Sequence, residues 1–162
     1  MGIFRKQNGD TIVEVLIAMT VIAGVLGASY TVVNRTMANA RQAQEHTEAL
    51  QVANKQIEYI TTLMASSKAA DLIASSGYNC ADKNTGEFVT QTINSPDDTP
   101  DKYAPACVSD GSVQYLTAFK YVTNAADANN GAVKYFKVFV TWPSVTGNGN
   151  DHVTLAYRAY QP

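Results

Sequence analysis

Few residues in this chain have types and spacings that could do chemistry. Cys80 and Cys107 are its only cysteines, and an isolated pair so far apart is not a zinc pattern, which needs about four ligands at close spacing. In an exported chain the two would form a disulfide, worth about 3–4 kcal/mol in the chain-entropy account. In a reducing compartment they would remain thiols. His46 and His152 have no Ser, Asp or Cys partner in a recognised catalytic order. The chain also lacks GxSxG, HExxH and a glycine-rich phosphate loop. No enzyme and no cofactor is therefore expected. Asp82-Lys83-Asn84-Thr85-Gly86-Glu87 places oxygen ligands at alternate positions but misses the third ligand that an EF-hand sets before its glycine. That stretch and the acids Asp97, Asp98 and Asp101 read as solvated loop surface, and no metal is expected.

Glu14 is a different case. It stands at the mouth of an uncharged run, Val15 to Val33, nineteen residues long. As a helix that run rises about 28 Å, close to the roughly 30 Å hydrocarbon core of a bilayer. A carboxylate inside such a span costs on the order of 2.5–3.5 kcal/mol, less near its edge, and is a functional candidate by default. The bland alternative places Glu14 in the headgroup layer. The nine residues before Asp10 carry two cations, Arg5 and Lys6, and no acid, while the chain as a whole has net charge −2. This asymmetry fits a cytoplasmic N-terminus with the rest of the chain outside. Three readings remain at this point. A cleaved secretory signal would have a shorter apolar region, although Gly27-Ala28-Ser29 imitates its cleavage site. A plain signal anchor is the second. The third must account for Glu14.

Beyond Val33 the chain stays helix-friendly but becomes polar, and no proline occurs before Ser95. Val33, Met37, Ala40, Thr47, Leu50, Ala53, Ile57, Ile60 and Met64 form one apolar stripe, with Arg41, Glu45, Glu48, Lys55 and Glu58 mostly off it. One helix is expected from about Thr11 to Ile73. Gly24 and Gly27 weaken its first half by about 1 kcal/mol each and leave room for close helix approach. Ser75 to Ser112 is rich in Gly, Pro, Asp, Asn and Ser and reads as loop. Seven acids and two lysines lie between Asp71 and Asp110. Val113–Thr123, Val133–Trp142 and His152–Tyr160 alternate as strands, with turn signals at Asn129-Asn130-Gly131 and Gly147-Asn148-Gly149-Asn150. In the second strand Phe136, Val138, Val140 and Trp142 share one face, and Phe139 is an apolar exception on the other. The expected fold class is α+β: a long N-terminal helix packed on an antiparallel meander of about three strands with one apolar face. Lys120, Lys134, Lys137 and Arg158 lie in the sheet region. They read as surface charge that protects edge strands. A DNA contact is the functional alternative, disfavoured without a clustered basic patch.

Gly9-Asp10-Thr11-Ile12-Val13-Glu14-Val15-Leu16-Ile17-Ala18-Met19 resembles the class III signal of type IV prepilins. The resemblance implies that a prepilin peptidase cuts between Gly9 and Asp10, which makes Glu14 the fifth residue of the mature chain. It implies N-methylation of the new amine on Asp10 and pairing of that amine with Glu14 of a neighbouring subunit. Thr11 fits the same pattern. Asp10 departs from it, since the family usually has Phe, Met or Leu there. Ala49 to Glu58 is similar to the mid-helix region of minor pilins and pseudopilins. Val140-Thr141-Trp142-Pro143 with the following turn resembles the closing hairpin of some minor pilins. In many pilins the disulfide lies near the C-terminus, whereas Cys80 and Cys107 bracket the helix-to-sheet connection.

The implied organisation is a leader (1–9), a transmembrane and filament-core helix (10–33) and a pilin-like head (34–162). The head would comprise an amphipathic helix (34–73), a disulfide-bracketed loop (74–112) and a β-meander (113–162). The implied partners are other pilin subunits, the prepilin peptidase, the assembly platform with its ATPase, and membrane lipid before assembly. The expected place is the inner membrane with the head outside the cytoplasm, then an extracellular filament. A rival from another class is a membrane-tethered extracytoplasmic binding module that never assembles.

Overall fold

A computed structural model of the chain describes residues 10–82, 85, 87–96, 102–109, 111–122, 133–145, 147 and 149–160. The leader 1–9, the turn 129–131, the loop acids Asp97, Asp98 and Asp101, and Lys83, Asn84 and Gly86 of the acidic stretch lie outside them. So do the side chains of Asp10 and Thr11. The fold is α+β. Helix α1 spans Asp10–Met64, a short α2 spans Ala69–Ala74, and five strands follow: β1 Tyr78–Ala81, β2 Phe88–Gln91, β3 Leu116–Val122, β4 Val133–Pro143 and β5 Asn150–Tyr160. All pairings are antiparallel, in the order β2-β1-β3-β4-β5. Two compact units divide the chain, Met1–Arg41 and Gln42–Pro162.

The expected helix to Ile73 stops early. Ser66 supplies the reason: its hydroxyl donates to the Leu63 carbonyl at 2.7 Å and accepts the Lys68 N–H at 3.2 Å, while its own N–H turns back to the same carbonyl at 3.0 Å. A serine that offers the backbone local partners competes with helix continuation.

The sheet has five strands rather than about three. The two additional ones are only four residues long, too short for an alternating pattern to stand out. Asn79, at the centre of β1, is a poor strand former held by side-chain bonds. Its amide donates to Ser75 Oγ at 2.9 Å and to the Gly77 carbonyl at 3.2 Å, and its oxygen accepts from Thr90 Oγ1 at 2.9 Å. Asn79 is fully buried, so those bonds offset a desolvation cost of about 1–3 kcal/mol.

The inner face of the sheet meets α1. Phe119, Phe136, Val138, Val140 and Trp142 pack with Ala49, Ala53, Ile60, Leu63 and Met64. The four β4 positions alternate as the sequence indicates. The helix stripe is rotated from the expected one. Ala53, Ile60 and Met64 are buried, but so are Glu45, Ala49 and Gln56, whereas Thr47 is exposed. Gln56 faces the sheet because its Oε1 accepts the Ala81 N–H at 3.0 Å, a task that no apolar residue could do.

The sheet's other face is not simply polar. Cys80, Ile93, Tyr103, Cys107, Leu116 and Ala118 form a second, smaller core on it. A disulfide joins Cys80 to Cys107 with Cα atoms 5.6 Å apart. The loop is fastened by Tyr103 and Thr141 hydroxyls, both donating to the Pro96 carbonyl, and by Thr117 Oγ1 donating to the Cys107 carbonyl. The β4–β5 turn uses Gly147 and Gly149 at φ 73° and 82°, a region costly for other residues.

Candidate functional site

The first unit presents a surface unusual for a folded chain. From Ile12 to Met37 the large apolar side chains are between 47% and 69% exposed, on every side of the helix. A helix that is apolar all round has no polar face to give to water and needs lipid or other helices. The hydroxyls of Thr20, Ser29, Thr31 and Thr36 are already satisfied within the helix. Thr20 donates to the Ile17 carbonyl at 2.8 Å, Ser29 to Val25 at 2.8 Å, and Thr31 to Gly27 at 3.1 Å. Such back-bonding removes the cost of carrying these groups into hydrocarbon. The helix is long and apolar enough to cross a membrane and lies near the N-terminus.

Glu14 sits at the start of this surface, one turn after Asp10, where the helix begins. Its side chain is exposed, and no described residue hydrogen-bonds or ion-pairs with it. Helical spacing puts residues 10 and 14 on the same face, so any charge on residue 10 acts directly on the carboxylate. Whatever neutralises Glu14 in a low-dielectric setting is not among the described residues. Gly9 lies outside the described residues. Gly24 and Gly27 are three apart, hence on one side, and a methyl group added at either would meet nothing within 4 Å. They form a backbone-level notch in the apolar surface.

In the second unit, polar groups gather where α1 meets the ends of β4 and β5. Gln44 Nε2 donates to Glu48 Oε1 at 2.9 Å, and Tyr115 Oη donates to Glu48 Oε2 at 2.9 Å. The Gln44 bond first, then the Tyr115 bond, hold the Glu48 carboxyl below its ordinary range. Burial first, then the bond to Glu48, push the Tyr115 phenol well above its ordinary range. Burial likewise raises Tyr59, with the charges of Glu87 and Asp82 adding to it.

Nearby, the His46 ring meets Trp142 edge-on, with centroids 6.2 Å apart. A cleft of about 330 Å³ there is lined by Gln42, His46, Trp142, Asn150, Asp151 and His152. The two histidines, unrelated in sequence, thus share a cleft with Asp151. Buried Trp142 Nε1 and Asp151 Oδ2 have no partner among the described residues, a gap that an ordered water could fill. Among the described residues no three metal-ligating side chains converge.

The sheet cations also separate by position. Lys120 on β3 and Lys134 and Lys137 on β4 lie on interior strands, with Lys120 directly opposite Lys137, and only Arg158 lies on the edge strand β5. Edge protection therefore does not account for the three lysines. Sequence reasoning missed this pairing because it needs the β3–β4 register. The chain matches no protein-family model, and comparison with curated proteins and with solved structures gives no match either.

Proposed function

We propose that the chain is a structural subunit of a type IV pilin-like filament, of the minor pilin or pseudopilin kind, inserted in the membrane and assembled through its N-terminal helix. The observation that carries this reading is the exposed, all-round apolar stretch Ile12–Met37 with one carboxylate, Glu14, near its start, five residues after Gly9. A span that only anchors a domain has no use for that carboxylate. A span that leaves lipid for a bundle of identical helices does, because each Glu14 can neutralise the amine on Asp10 of a neighbour. The basic residues Arg5 and Lys6 support an orientation with the head outside the cytoplasm. The disulfide is consistent with that compartment.

The first test is the mass and N-terminal sequence of the chain from its native membrane. A start at Asp10, with or without a methyl group, supports prepilin processing. An intact Met1, or a start beyond Gly27, refutes it. The second test is Glu14→Gln, which is expected to insert in the membrane normally and to yield few or no filaments. Normal filaments from that variant would favour a tethered module that never assembles.

A further inference from the structure

The first unit carries its charges toward its two ends. Between Glu14 and Glu45 the chain has no other acid, and its only cations there are Arg35 and Arg41. Arg35 is exposed, and its neighbours along the helix offer it no carboxylate: Thr31, Val32, Ala38 and Asn39 stand three and four residues away. It also lies inside the apolar surface rather than beyond it, since Val32, Val33 and Met37 are exposed apolar side chains on either side of it in the chain. Glu14 and Arg35 belong to one uninterrupted helix, α1, so their separation along its axis is fixed. They are twenty-one residues apart. That distance rises about 32 Å and leaves the two side chains on one side of the helix, about 60° apart. Gly24, about three turns before Arg35, lies on that side as well.

Copies inserted with one orientation have parallel helices. Side by side at the same level, such helices set Glu14 against Glu14 and Arg35 against Arg35. Displaced along the axis by about 32 Å, they bring Glu14 of one copy level with Arg35 of the other. A low-dielectric bundle strengthens both the repulsion in the first arrangement and the attraction in the second. We infer that Arg35 binds Glu14 of a second copy of the chain, displaced by this length along the filament. The inference rests on the filament reading and names a contact within it. The charge count at the helix head supports it. After a cut behind Gly9, the head holds the carboxyl groups of Asp10 and Glu14 against one amine, so the amine alone leaves one negative charge over. Arg35 supplies the missing positive charge. A guanidinium suits this place, because its fork matches a carboxylate and it is more weakly hydrated than an ammonium. A contact that repeats by displacement does not close, so it propagates into a filament instead of a ring. A lipid phosphate is the other anion that Arg35 could reach, by extending toward the headgroups. That contact would leave the extra charge beside Glu14 unmet.

The experiment uses the full-length chain in its native cells, with membrane-inserted and filament protein measured separately. Arg35→Gln should insert as the unaltered chain does and give at least about tenfold fewer filaments, because losing one partner leaves a buried charge uncompensated. Arg41→Gln should give filaments close to the unaltered level. Asp10→Asn/Arg35→Gln removes one charge of each sign and should recover filaments relative to Arg35→Gln. The displacement is read by disulfide formation between copies. Ala18 and Asn39 lie one turn beyond Glu14 and Arg35 and are likewise twenty-one residues apart. Within one helix they are too far apart to join. Filaments of Ala18→Cys/Asn39→Cys should therefore link residue 18 of one copy to residue 39 of another. Ala18→Cys/Thr31→Cys, set for a displacement of about 20 Å, should not link those two positions. Unaltered filament yield from Arg35→Gln overturns the proposal, as does the absence of the 18–39 link from filaments. A loss by Arg35→Gln at the insertion step, with normal filaments from what is inserted, also overturns it and assigns Arg35 to lipid. Failure of the filament reading looks different: the unaltered chain would keep Met1 and form no filaments, and both readings would fall. Filaments that lack the link overturn this contact alone.

Discussion

Glu48 and Tyr115 form the contact whose behaviour is easiest to derive at the residue scale. The Glu48 carboxyl is held low in the folded chain by Gln44 and then Tyr115. Its contribution is therefore present above the unfolded value of about 4.3 and is lost as pH falls through the lower folded value. The Tyr115 phenol is held high, chiefly by burial. Its contribution is complete below the unfolded value of about 10 and is lost as pH rises beyond it. The stability profile of the head should thus fall at both ends. Tyr115→Phe should flatten the alkaline fall, leaving the part due to Tyr59, and should bring Glu48 closer to its ordinary range. Thermal melts across pH would check this, and an unchanged alkaline limb in Tyr115→Phe would contradict it. None of this was legible in the sequence, because Glu48 and Tyr115 are 67 residues apart. Glu14 was legible, since a lone carboxylate against an uncharged run is visible without a structure. Glu45 was misread: its charge suggested the solvent face, whereas its side chain is buried.

At the scale of elements, legibility followed length and regularity. The apolar run, β4 and β5 announced themselves by nineteen uncharged residues or by sustained alternation. The early stop of α1 did not, because it depends on what one serine hydroxyl bonds. β1 and β2 did not, because four residues cannot establish a period and Asn79 argues against a strand unless its side-chain bonds are seen. In α1 itself the glycines permit a specific test. Gly24 and Gly27 leave the backbone open on one side, and in lipid that notch serves only helix–helix approach. Gly24→Ala should stiffen the helix by about 1 kcal/mol while keeping the notch shallow, so assembly should survive. Gly24→Leu/Gly27→Leu fills the notch and should reduce filament yield without loss of membrane insertion. Membrane fractionation beside filament counts separates the two effects. Equal filament yield from the double leucine variant would show that no helix packs there.

For the whole molecule, the decisive contrast is between a unit with a core and a unit without one. The head from Gln42 onward buries Trp142, Phe119, Phe136 and Ile60 completely, and closes a second core around its disulfide. Among the described residues, the first unit buries none of its large apolar side chains. Folding of the head should therefore not depend on residues 1–41, and a fragment starting at Gln42 should be soluble and cooperatively folded without detergent. Full-length chain should require detergent or lipid. Within the fragment, Ile60→Ala removes a fully buried side chain of the main core, where the cost is typically about 2–5 kcal/mol. Cys80→Ser/Cys107→Ser removes a cross-link worth about 3–4 kcal/mol in the chain-entropy account. A domain of this size has a stability of about 5–15 kcal/mol, so either change alone should leave a folded population and the two together should abolish it in the least stable case. Urea titrations followed by tryptophan emission would read both, since Trp142 is the chain's only tryptophan and sits in the main core. If the fragment fails to fold while the full-length chain in detergent folds well, the membrane half contributes to the head's stability, and the separation of an assembling helix from a self-sufficient head would be wrong. If it folds as expected, substitutions at Glu14, Gly24 and Gly27 can be read as effects on insertion and assembly alone, because none of those residues belongs to the part that holds the head together.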